Sequence, residues 1–124
     1  MNIEVGKEGE KAAEKFLRQK GYKILQRNYR SSLGEIDLVC LDRKKLTFVE
    51  VKTNAASNDF GRPESRVDTR KQKQIIRTAL GFIKESGAKD FDYRFDVVSV
   101  YLKDSSPQRI EHFENAFEAD GYLF

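Results

Sequence analysis

Gly34-Glu35-Ile36-Asp37-Leu38-Val39-Cys40-Leu41-Asp42-Arg43-Lys44-Lys45-Leu46-Thr47-Phe48-Val49-Glu50-Val51-Lys52 reads as two strands about a turn. Residues 35–41 and 46–53 are rich in β-branched and apolar side chains, and the four residues 42–45 between them are polar. A symmetric turn that sets Leu41 opposite Leu46 also sets Val39 opposite Phe48, Asp37 opposite Glu50, and Glu35 opposite Lys52. Strand side chains alternate, so all of these share one face. The other face then carries Ile36, Leu38, Cys40, Thr47, Val49 and Val51, and is a core face. The first face is apolar near the turn and charged at its far end. A slip of one residue would exchange the two faces.

Directly opposed side chains have Cβ atoms about 4.5–5.5 Å apart, and like charges at that spacing destabilise a sheet. Asp37 against Glu50 is therefore a cost unless something positive lies between them. A divalent cation meets that need, and oxygen ligands without sulfur or imidazole favour a hard ion, Mg²⁺ or Mn²⁺. Lys52 points the same way as Glu50, where an ammonium can steady charge developing on a phosphate or orient a water. The plain alternative is a wet strand face on which Glu35 and Lys52 form an ordinary cross-strand pair.

The rest of the chain frames this hairpin. Its 124 residues suit one domain spanning 1–124, with 39% apolar and 35% charged residues. Residues 6–20 predict a helix with Ala12, Ala13, Phe16 and Leu17 as its stripe, ended by Gly21, and Glu10 lies on the stripe's own side. Residues 22–30 predict a strand, 54–64 a loop, 66–85 a second helix and 94–102 a strand. Ile110 to Phe113 reads as a last short strand before a tail, and Pro63 and Pro107 as loop residues. The order α-β-β-β-α-β is that of an α/β fold with a mixed sheet and helices packed on it. No apolar run approaches the roughly 20 residues of a membrane helix, and the first residues lack a leader-type apolar stretch, so a cytoplasmic protein without membrane association is expected. Cys40 is the single cysteine, which excludes an internal disulfide. Net charge is +3. The cations gather in two regions, Arg62, Arg66, Arg70, Lys71 and Lys73, and Arg27, Arg30, Lys44 and Lys45. That permits nucleic-acid binding without requiring it.

Gly34-Glu35-Ile36-Asp37-Leu38-Val39 followed by Phe48-Val49-Glu50-Val51-Lys52 resembles the signature of the PD-(D/E)xK nuclease superfamily, and more narrowly its YraN-type family. Supporting blocks are Gly6-Lys7-Glu8-Gly9-Glu10, Arg27-Asn28-Tyr29-Arg30, Gly61-Arg62-Pro63, Lys71-Gln72 and Arg94-Phe95-Asp96-Val97-Val98. The position before the acid is Ile36 rather than proline. The resemblance implies a restriction-endonuclease-like fold related to Holliday-junction resolvases. It implies metal binding by Asp37 and Glu50, completed by Glu10 on the first helix, and a catalytic role for Lys52. Lys71 and Gln72 are candidates for a side chain reaching the site from the second helix, and Glu35 for a carboxylate just behind the metal. Arg30 and Arg62 are candidates for substrate contact. The expected activity is Mg²⁺-dependent (or Mn²⁺-dependent) hydrolysis of DNA, branched or structured DNA included, in repair or recombination. A homodimer would suit a substrate with two cut sites. A non-catalytic nucleic-acid-binding module and an adaptor on a nuclease-like fold are the alternatives.

Several residues have plainer readings. Lys71, Lys73 and Arg70 also fit a solvated helix face, and Gln72 a structural hydrogen bond. Arg94 and Asp96 read as a structural pair, His112 as structural or exposed, Tyr29 as a core edge or a stacking surface, and Cys40 as core.

Overall fold

The first helix forms where Ala13 and Leu17 recur on one face, and both are fully buried. In the computed structural model, which describes residues 3–55, 67–104 and 106–119, this is α1, Ile3–Gln19. It stops at Gly21, whose φ of 94° is left-handed. Three strands follow, β1 Lys23–Ser31, β2 Gly34–Asp42 and β3 Lys45–Ala55. The second helix, α2 Thr69–Ser86, is capped by Asp68, whose side chain accepts from Lys71 N at 2.8 Å, and ends at left-handed Gly87. The chain closes with β4 Asp92–Lys103 and β5 Ser106–Phe117.

The five strands make one sheet in the order β1-β2-β3-β4-β5. All neighbours are antiparallel except β3 and β4, which are parallel and joined through α2. This is the mixed sheet flanked by helices that the sequence led us to expect, an α/β architecture consistent with a restriction-endonuclease-like fold. The hairpin has the register of the symmetric turn, with Leu41 opposite Leu46, Val39 opposite Phe48 and Leu38 opposite Val49.

Both faces of the hairpin are buried. Leu38, Cys40 and Val49 pack with Ala13 and Leu17 of α1. Val39 and Phe48 pack with Ile75, Ile76 and Ala79 of α2. Phe48 stacks on Phe95 and Phe95 on Phe117, with centroids 5.7 and 5.0 Å apart.

Three expectations are corrected. Ile36 packs under α2 with Val39, and not with Leu38 and Cys40 under α1. Strict alternation therefore breaks at Asp37. The partner strand explains it: Asn28, which lies between the pairs Arg27–Leu38 and Tyr29–Ile36, has a left-handed φ of 49°. The final strand is not short but runs the twelve residues of β5. Pro107 is not in a loop; it is the second residue of β5, opposite Leu102 beside a bulge. An edge strand tolerates proline because one row of its N–H groups needs no partner.

Candidate functional site

β2 and β3 part company at the open end of their hairpin. Their paired residues run from Asp42–Lys45 to Leu38–Val49. Beyond that point β2 stays with β1 as far as Ser31–Gly34, and β3 stays with β4 as far as Ala55–Leu102. Asp37 and Glu50 flank the resulting cleft. Asp37 spans it: its Oδ2 accepts the Val51 N–H at 2.8 Å, taking a backbone donor on β3 where the ladder has ended.

Val49 and Val51 pack under α1, so Glu50 is turned to the α2 side. There Lys71 Nζ lies 3.8 Å from Glu50 Oε2, with the glutamate side chain only 16% exposed. Burial, the neighbouring Asp37 charge and a hydrogen bond between the two carboxyl groups push the Glu50 carboxyl up to about 8, against a partial pull from Lys71. Lys52, two residues on and half-buried, follows Glu50 by strand alternation and lies opposite Ser99 of β4.

Glu10 approaches from α1. Burial, and then the charge of Asp37, raise its carboxyl above the ordinary range, while Asn28 donates a hydrogen bond to it. The helix reaches this position because Gly9 lies directly on Thr53 of β3, where a Cβ would stand 1.9 Å from Thr53 Oγ1. Glu10, Asp37 and Glu50 do not form a closed trio of ligand atoms. Among the described residues the trio within 4.8 Å is Asp96, His112 and Glu114.

That second cluster is already filled. Arg94 donates to both oxygens of Asp96, at 2.8 and 3.1 Å, His112 Nε2 lies 2.7 Å from Oδ2, and Asn115 N–H donates to Oδ1 at 3.0 Å. Burial would raise the Asp96 carboxyl, but these hydrogen bonds hold it below its ordinary value. Arg94 and Asp96 are a structural pair, and His112 joins them with Lys20 on its other nitrogen at 2.7 Å.

The remaining sequence candidates are dispersed. Glu35 pairs with Arg30 across β1 and β2 at 3.0 Å rather than with Lys52, although its charge is felt by both Glu10 and Glu50. Gln72 donates from Nε2 to the Val67 carbonyl at 2.7 Å, tying down the entry to α2. Tyr29 packs edge-on against Phe82 and donates to Glu85. Lys44 lies in the hairpin turn and Lys45 opens β3 beside it, at the opposite end of β2 from Asp37. Arg62 and Arg66 lie outside the described residues. Gly9 and Asn28 stood in the sequence only as members of supporting blocks, with no role of their own. Asparagine's tolerance of the left-handed region is the physical signal that Asn28 carried.

The oxygen donors suit a hard divalent ion. Two half-buried carboxyl groups set on either side of one split are a pair that a dication would relieve.

The chain resembles proteins of closely similar length. A UPF0102 protein of Caldanaerobacter subterraneus subsp. tengcongensis is 43% identical over 115 residues, covering 91% of this chain and 93% of that one. A second, from Trichlorobacter lovleyi, is 45% identical over 118 residues, covering 94% and 92%. Among solved structures, Pyrococcus furiosus SfsA in complex with Ca²⁺ aligns with a TM-score of 0.40 and 16% identity, over 89% of this chain and 62% of that chain. Among the described residues no helix is long and apolar enough to cross a membrane. The model of the uncharacterised protein family UPF0102 matches residues 9–100, and with these relatives it shows that the chain belongs to that family.

Proposed function

We propose that this protein is a Mg²⁺- or Mn²⁺-dependent nuclease that hydrolyses phosphodiester bonds in DNA, with branched or structured DNA of repair or recombination as its substrate class. The observation that carries the reading is the placement of Asp37 and Glu50 on either side of the split between β2 and β3, where Asp37 takes the Val51 N–H and burial and the Asp37 charge hold the Glu50 carboxyl above its ordinary range. Asp37 and Glu50 would hold the metal, with Glu10 adding negative charge from α1. When bound, the metal supplies a lowered water pKa and neutralises phosphate charge. Val51 N–H fixes one oxygen of Asp37, which orients the carboxylate before any ligand arrives. Lys52 carries the positive charge that steadies the attacked phosphate. Lys71 offsets the Glu50 charge, and metal binding would release it toward the substrate.

Cleavage of branched, flap and single-stranded DNA with Mg²⁺ and with Mn²⁺ tests this. Asp37→Asn and Glu50→Gln should abolish cleavage, and Lys52→Ala should slow it by about 10²–10³-fold while DNA binding persists. Tight DNA binding with no cleavage under either metal would overturn the nuclease reading in favour of a binding module.

A further inference from the structure

A groove of about 1030 Å³ between α1 and β1 leads to the acidic cleft. Its lining includes Lys7, Lys11, Lys15 and Arg18 on the α1 wall. They recur at spacings of four, four and three residues, so they form one ridge along the helix. At about 1.5 Å rise per residue the ridge is about 16 Å long, with cations stepping every ~6 Å. The facing wall carries Arg27 and Arg30, and buried Leu38 is part of the floor. Six cations thus line the groove beside two carboxylates, Glu10 and Glu14, while Lys11 also pairs with Glu8 at 3.8 Å and Arg30 with Glu35 at 3.0 Å outside that lining.

The two carboxylates have distinct roles. Glu14 accepts from both Arg27 and Arg18, and the Arg27 hydrogen bond is the main cause holding its carboxyl below the ordinary range. It therefore fixes the two guanidinium planes on opposite walls. Glu10 stands at the other end, bonded to Asn28 and within the field of Asp37. The groove accordingly runs from an arginine pair to the acidic cleft.

We propose that this groove seats one strand of nucleic acid, its phosphates on the Lys7–Arg18 ridge and its bases against Arg27, Arg30 and the lysine stems, and delivers a phosphate to the Asp37–Glu50 cleft. The delivery step rests on the nuclease reading; the binding step does not. Amines spaced along a helix track a backbone without reading sequence. Guanidinium planes and methylene stems give the bases a stacking surface that every base can use. A duplex carries its phosphates around a far wider cylinder. It would ride across the ridge without reaching Leu38 or Asn28.

Fluorescence anisotropy of the full chain in EDTA, with a 12-nucleotide single-stranded oligonucleotide and a duplex of equal length, tests the groove without cleavage. The triple variant Lys7→Gln, Lys11→Gln, Lys15→Gln should weaken single-strand binding at least tenfold at low salt. It should also reduce the salt slope by about 2, from the ~0.7 that each phosphate contact contributes on a single strand. Lys44→Gln, Lys45→Gln, Lys103→Gln removes the same charge from exposed positions outside the groove. It should leave that slope unchanged. An unchanged slope in the first triple, an equal loss in the second, or tighter duplex binding through the same lysines overturns the proposal. Single-strand binding that depends on the ridge, with no cleavage under any divalent metal, would sink the nuclease reading and leave the groove standing. Cleavage with unaltered KM in the first triple would do the reverse.

Discussion

Glu50→Gln should stabilise the metal-free protein, and only at high pH. Glutamine fills the same space and its amide donates to Asp37 as the protonated acid does, but it cannot ionise. Below pH 4.5 Glu50 is neutral in the folded and the unfolded chain alike, so ionisation separates the two proteins by nothing. As pH rises past 4.5 the unfolded chain releases this proton while the folded chain keeps it until about 8. The unfolded state binds fewer protons, so wild-type stability falls across that window and levels off above it. A rise from 4.5 to about 8, at about 1.4 kcal/mol per unit, bounds the loss at roughly 5 kcal/mol. Lys71, 3.8 Å from Glu50, lies on the charged form's side of the balance. We therefore expect a few kcal/mol, or a Tm difference on the order of 10 °C. The assay is thermal or urea unfolding of both proteins in EDTA from pH 5 to pH 9, read as the difference between them. They should melt together at pH 5, with the glutamine variant higher at pH 9. Millimolar Mg²⁺ should close most of that gap at pH 8, because wild type gains about 2.7 kcal/mol at one hundred times Kd and the variant gains nothing. A difference that stays flat with pH refutes the raised Glu50 carboxyl, and Mg²⁺ stabilising both proteins equally removes Glu50 from the metal site.

Gly9→Ala should destabilise the protein by about 1–3 kcal/mol, because the new methyl meets the β-branched, stiff side chain of Thr53. It should also weaken the Mg²⁺-induced Tm shift by moving Glu10, and Thr53→Ala in the same chain should restore part of both. Asp96→Asn should cost about 3–5 kcal/mol, since it leaves the 12%-exposed Arg94 short of its main partner. The Mg²⁺ shift should be unaffected if that cluster is structural. Because Asp96 is held below its ordinary 3.8, its contribution is complete at neutral pH and fades only as pH falls below that value. Cys40 is fully buried and its thiol is pushed up to about 12, so thiol reagents should modify it only in the unfolded chain.

The hairpin was legible because two constraints agree. Strands of equal quality flank a short polar turn, and only the symmetric register opposes Leu41 to Leu46 and Val39 to Phe48. That register carries Asp37 to Glu50 by counting alone. What counting could not supply is the split beyond Leu38 and Val49, which depends on β2 following β1 while β3 follows β4, a choice made by strands distant in sequence. Ile36 shows the same limit: the rule of two fails there because a neighbouring strand, not its own, bends at Asn28. β5 was read short because an edge strand need not alternate strongly, and its His112 turns inward to the buried Asp96 rather than to solvent. The α1 ridge is the opposite case. Lys7, Lys11, Lys15 and Arg18 are regular in sequence, but a ridge of cations on a helix is ordinarily a solvated face. Only β1, folded back so that Arg27 and Arg30 oppose it, turns that ridge into one wall of a groove. Local pattern thus specified which residues are chemically costly, and long-range strand choice decided whether the cost could be relieved by a ligand.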